Sequence, residues 1–157
     1  MFRWIRNPFG LKEIIDSQLV KIMKKHTYQS SLQWTGNLGQ GTAKYNSYSR
    51  DYNIDIENKA TILGSSDPAF LGDPARHNPE ELLLCSISSC HMLWYLHLAT
   101  TKGIVVVDYS DHATAVMMEK EDGSGYFESA TLNPIVTITD PAKLEEANAL
   151  HKEANKY

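Results

Sequence analysis

The chain has 157 residues, a formal charge of -4 and 42% hydrophobic residues. That length suits one domain whose core needs no disulfide support. The mildly acidic balance, without a basic stripe, argues against a nucleic-acid partner.

The first residues, Met1-Phe2-Arg3-Trp4-Ile5-Arg6, are basic, but no signal-type apolar core follows them. This predicts a cytoplasmic protein. After the turn Asn7-Pro8-Phe9-Gly10, residues Leu11, Ile14, Ile15, Leu19 and Ile22 recur at helical spacing. They predict an amphipathic helix over 11–24 packed on the main body.

Tyr28, Leu32 and Trp34 share one parity and predict a strand. Residues 37–41 read as a hairpin connection, and 43–48 and 52–57 as two further strands. Gly39 and Gly41 lack the strand-to-helix context of a phosphate loop. Residues 65–77, with Asp67-Pro68, Gly72 and Asp73-Pro74, form an ordered loop of turns.

A long helix is predicted from Pro79 to about Lys102. Asn78 is its N-cap, Pro79 its first residue, Glu81 the partner in a capping box and Gly103 its stop. Leu82 to Thr101 is apolar enough to raise the question of a membrane span. It carries Cys85, Cys90, His91, His97 and several hydroxyls, so it reads as a helix buried on most of its circumference, and no membrane partner is expected. Strands follow at 104–109, 113–119 and 126–139, with a turn at Asp122-Gly123-Ser124-Gly125. Asp140 caps a last helix that has Leu144, Ala147, Leu150 and Ala154 on one side. Three strands, a long helix, three strands and a helix make an α+β class with mostly antiparallel pairing.

Both cysteines lie on the long helix, five residues apart, and point to different sides of it. They cannot pair with each other, which favours a reducing compartment. Cys85 reads as packing. Cys90 reads either as a small buried apolar residue or as a nucleophilic thiolate. A thiolate here needs a cation from elsewhere, because the helix dipole fades within the first turn and Cys90 lies three turns in. The helix has no basic residue between Glu80 and Thr101, so Arg76 is the first candidate and Arg50 the second. Glu80 lies about 15 Å from Cys90 along the axis and cannot touch it within one helix. An antiparallel two-fold pairing of helices would bring Glu80 and Arg76 to the other copy's Cys90. Trp94 and Tyr95 could form one wall of an apolar pocket. Cys90 and His91 diverge, and His97 adds no closed ligand set, so no metal is expected.

The stretch HNPEELLLCSISSCHM resembles the OsmC/Ohr family, the osmotically inducible and organic hydroperoxide resistance proteins. The preceding GSSDPAFLGDPAR and the early WTGNLGQGTAKY are similar to an OsmC-like subgroup. The similarity runs from about His26 onward, which implies that residues 1–25 are an N-terminal extension, with its amphipathic helix, to an OsmC-like domain over 26–157. The resemblance implies an OsmC-like α+β fold, two antiparallel three-stranded halves around a long buried central helix, as an intertwined homodimer with sites at the interface. It implies a peroxidatic cysteine at Cys90, an arginine that stabilises the thiolate, and Glu80 holding that arginine. It further implies an organic hydroperoxide substrate, an external dithiol reductant of the lipoyl type and no cofactor. Family members carry a second, resolving cysteine on the last helix. None occurs here up to Tyr157, close to its expected place; either the sequence is truncated or that thiol is lost. The expected function is therefore a thiol-dependent peroxidase acting on organic hydroperoxides in stress defence. The alternatives are a non-catalytic small-ligand or lipid-binding dimer of the same fold and a purely structural protein.

Overall fold

Three short strands come first in the computed structural model, which describes residues 24–157: β1 (Ser31–Trp34), β2 (Tyr52–Asp55) and β3 (Ile62–Gly64). They form one antiparallel sheet in the order β1-β2-β3. Trp34 stands opposite Tyr52, and Tyr52 opposite Gly64. Gly64 is required by close approach, because a Cβ there would lie 2.1 Å from the Tyr52 ring. The helix expected over 11–24 falls, but for Lys24, outside the described residues. Residues 24–30 carry no helix or strand and fall outside the compact unit Ser31–Tyr157.

The strand expected at 43–48 does not form; those residues are turns and bends in the connection from β1 to β2. Arg50 gives the physical reason. Its guanidinium donates to the carbonyls of Tyr48 (2.8 Å) and Tyr45 (2.6 Å) and lies 4.4 Å from each tyrosine ring centroid. Those carbonyls are spent on a side chain, and the cation–π contacts curl the loop around it. Strand β3, three residues long, carries too short a pattern to be read by alternation.

The central helix α1 (Pro79–Thr101) starts as expected. Asn78 Oδ1 accepts from the Glu81 N–H at 2.7 Å, and Glu81 Oε2 accepts from the Asn78 N–H at 3.2 Å. Gly103, with φ of 64°, ends it in a left-handed conformation that a side chain would resist.

Four strands follow: β4 (Val106–Asp111), β5 (Thr114–Glu119), β6 (Gly125–Thr131) and β7 (Pro134–Ile138). They form two antiparallel pairs, β4 with β7 and β5 with β6. The single strand expected over 126–139 is thus two, and the second half holds four strands rather than three. The break comes at Asn133-Pro134. Asn133 turns its N–H to Asp111 (2.7 Å) and its amide to the His112 carbonyl (2.9 Å), and Pro134 has no N–H for a ladder. Asp140 caps a 3-10 turn, Pro141–Lys143, that leads into α2 (Leu144–Ala154).

Tyr95, Leu98, Ala99, Ile104, Ala147, Leu150 and Ala154 form the buried core, flanked by Val106, Val136 and Ile138. On α2 the predicted stripe holds for Ala147, Leu150 and Ala154, while Leu144 at the first turn is exposed. Helix α1 departs from expectation. It is long and apolar enough to cross a membrane by length and composition, and its C-terminal half instead supplies the core. Within the chain its burial is one-ended: Leu83, Ile87 and Leu93 are 44%, 38% and 62% exposed. Helix α2 and strand β4 pack on α1, and the buried residues of α1, His91, Tyr95, Leu98 and Ala99, all lie toward its C-terminal end.

Candidate functional site

Cys90 is a free, exposed thiol near the middle of α1. It opens into a groove of about 360 Å³ lined also by Ile87, His91, Trp94, Leu132 and Tyr157. Trp94 stacks on Tyr157 with centroids 4.0 Å apart, giving the groove an aromatic wall. Tyr95, one helical step on, turns the other way. It is 1% exposed and its hydroxyl donates to the Ala147 carbonyl at 3.2 Å. Of the two aromatics expected at a pocket, Trp94 lines it and Tyr95 is core beneath it. Cys85 is also free and exposed and does not border this groove.

Arg76 and Glu80 lie outside this groove, each beside a residue at the start of β2. Arg76 Nε lies 3.6 Å from an Asp51 carboxylate oxygen and 3.7 Å from one of Asp73. Its Nη1 is buried without a partner, as is the second Asp51 oxygen. Glu80 stands near Tyr52, whose phenol pKa is raised by burial first and by the Glu80 charge second. Glu80 also borders a cleft of about 410 Å³ with Asp67, Phe70, Leu84, Met117 and Glu119. Arg50 is held in its own loop between Tyr45 and Tyr48. Among the described residues no arginine lines the Cys90 groove. Within one chain Cys90 and Glu80 are therefore separate places, as the helical rise of about 15 Å requires, and Arg76 pairs with Asp51 and Asp73.

One arrangement at the groove has no counterpart in the sequence reading. His91, only 8% exposed, faces His151 of α2, with Nε2 and Nδ1 3.0 Å apart and ring planes within 9°. His151 also stacks on Tyr95 at 4.3 Å. Its pKa is lowered by burial first and by the charge of His91 second. In the sequence His91 suggests only a metal ligand. The available signal was His151 itself, a titratable residue four places after Ala147 in the apolar stripe of α2. Among the described residues no group of three or more His, Cys, Asp or Glu could hold a metal ion.

Residues 72–157, more than half of the chain, match the family of OsmC-like proteins. The chain belongs to the OsmC-like family. Its fold is similar to that of an OsmC-like protein of unknown function from Vibrio cholerae, with TM-score 0.69 and 25% identity over 85% of this chain and 94% of that one. An OsmC-like protein from Mycoplasma pneumoniae is similar at TM-score 0.58 and 12% identity, over 83% of each chain. An organic hydroperoxide resistance protein from Elizabethkingia anophelis is similar at TM-score 0.54 and 16% identity, over 85% of this chain and 90% of that one. A comparison with curated proteins finds no match. In this OsmC-like chain the family match takes in Arg76, Glu80, Cys90, His91 and His151, and leaves Arg50 outside.

Proposed function

We propose that the protein is a cytoplasmic, thiol-dependent peroxidase that reduces organic hydroperoxides as a symmetric dimer. One observation carries this reading: an open thiol in an apolar groove, on a helix whose uncovered surface also bears the carboxylate that the thiol cannot reach within its own chain. Pairing two α1 helices antiparallel brings Arg76 and Glu80 of each copy toward the other's Cys90 and covers Leu83, Ile87 and Leu93. The guanidinium then holds the thiolate, Glu80 holds the guanidinium, and Arg50 stays engaged with its tyrosines.

The thiolate attacks the terminal oxygen of the hydroperoxide. The S–O bond forms as the O–O bond breaks, sulfur is oxidised to a sulfenic acid, and the peroxide leaves as an alkoxide that takes up the proton given up by the thiol and becomes an alcohol. An apolar groove walled by Trp94 and Tyr157 favours a hydroperoxide with a hydrocarbon tail over hydrogen peroxide. An external dithiol of the lipoyl type returns Cys90 to the thiol. Cys90→Ser abolishes consumption of cumene hydroperoxide and Cys85→Ser retains most of it; equal consumption by both variants and the parent ends this reading.

A second reading is a non-catalytic dimer that binds a small apolar ligand in the same groove. Its support is that α2 carries no resolving cysteine. Iodoacetamide separates the two, since a peroxidatic Cys90 alkylates at a pH well below that needed by an ordinary thiol.

A further inference from the structure

We propose that His91 and His151 act as one proton-holding unit for the reaction at Cys90, an inference that rests on the peroxidase reading above. His91 borders two clefts at once. One is the groove that holds Cys90, and the other, of about 410 Å³, holds His151. The hydrogen bond of 3.0 Å between Nε2 of His91 and Nδ1 of His151 connects them. Two protonated nitrogens cannot meet at that distance, so one must offer a lone pair and the link holds a single proton. Tyr95 under His151 and the near-parallel ring of His91 fix both rings in place.

Few other proton-carrying side chains border the two clefts. Besides the two histidines, the titratable side chains lining the clefts are Cys90 and Tyr157. Tyr95, stacked on His151, donates its own proton to the Ala147 carbonyl. The facing residues Ala130, Thr131, Leu132 and Pro134 bring no charge, and among the described residues no carboxylate or cation lines either cleft.

The step balances without a further reactant. The Cys90 thiol gives its proton to the pair. The thiolate attacks the terminal oxygen, the S–O bond forms as the O–O bond breaks, and two electrons pass from sulfur to the peroxide. The departing alkoxide takes the proton back through His91 and leaves as an alcohol, with a sulfenic acid on Cys90 and the pair as it began. His91 borders the groove that holds Cys90 and is the member of the pair that hands the proton over. His151 acts through it and is a positioning residue. Burial of His151 first and the His91 charge second favour its neutral form, which eases return of the proton.

The test is a single turnover, so it needs no reductant. The full chain in its native oligomer is mixed with stoichiometric cumene hydroperoxide between about pH 5 and 9, the range over which histidine titrates. Sulfenic acid is trapped with dimedone and counted by intact mass. In the parent the rate rises with thiolate, passes a maximum and falls again as the pair loses its proton. His151→Asn places an amide oxygen where Nδ1 stands, so it keeps the hydrogen bond to His91 but holds no titratable proton. It melts like the parent, reacts roughly tenfold more slowly and moves the alkaline fall to a different pH, while His91→Gln slows by on the order of a hundredfold, the usual scale of acid–base help, and loses the alkaline fall. Parental rates and profile in both variants overturn the relay and leave the peroxidase reading standing. A parent rate that only climbs to a plateau overturns it even if neither variant folds. A parent that traps no sulfenic acid at any pH removes both.

Discussion

Lys143, at the end of the 3-10 turn before α2, donates its ammonium to the Gly103 carbonyl at 2.9 Å and to the Lys102 carbonyl at 3.0 Å. The last turn of α1 has no basic residue of its own, so a cation from another element satisfies the free carbonyls there. Lys143→Met is expected to cost about 1 kcal/mol in urea unfolding, the usual scale for an exposed charge at a helix end. Sulfenic acid formation at Cys90, far along the helix, stays at the parental rate.

Glu80 and Glu81 are neighbours with separable roles. Glu81 closes the capping box with Asn78. Asn78→Ala is therefore expected to lose about 1 kcal/mol of stability and Glu81→Ala a smaller amount in the same direction. Glu80→Gln leaves the melting curve near the parent but raises the pH at which Cys90 alkylates with iodoacetamide. A Glu81 variant that shifts thiol reactivity more than the Glu80 variant would reverse these assignments.

Gly64 lies under Tyr52 with no room for a methyl group. Gly64→Ala pushes the Tyr52 ring aside and strains the β2–β3 pairing, at a cost of roughly 1–3 kcal/mol for overpacking. Gly64→Ala combined with Tyr52→Ala is expected to fall short of the sum of the two single costs, because the clash is then gone. Chemical denaturation of the four proteins measures the coupling.

The bare face of α1 predicts association. Sedimentation velocity of the parent at micromolar concentration is expected to give a dimer, and Leu93→Glu a smaller species. Because Leu93 is 62% exposed in the chain, a charge there costs little to folding of the single chain and much to burial against a second copy. A monomeric parent removes the composite site.

Tyr109 ties stability to alkaline pH. Burial first, then the Asp111 and Tyr95 charges, push its phenol up from 10.0 to about 12. The unfolded chain therefore releases this proton at lower pH than the folded one. The stabilisation is complete below pH 10 and is lost as pH rises through about 12. Tyr95 is raised in the same direction by burial. Tyr109→Phe is expected to flatten the loss of stability across that window, as followed by urea unfolding at stepped pH.

Much of this was legible from local chemistry. Asn78, Pro79, Glu81 and Gly103 bound α1 because caps and stops act through groups within a few residues. Asp140 likewise marks the entry to α2. What escaped depends on distant partners. Residues 43–48 read as a strand, yet Arg50 draws the Tyr45 and Tyr48 carbonyls away from any ladder. Residues 126–139 look continuous, yet Asp111 and His112, more than twenty positions earlier, hold Asn133 at the break.

By itself the sequence determined the α+β class, the long capped helix and the separation of Cys90 from Glu80, because helical rise is fixed by backbone geometry. Only the tertiary structure decided that α1 is covered at one end, that Arg76 sits with Asp51 and Asp73, and that His91 meets His151. These are contacts between residues far apart in the chain, and no spacing along a single helix encodes which side chain a second element will bring against it.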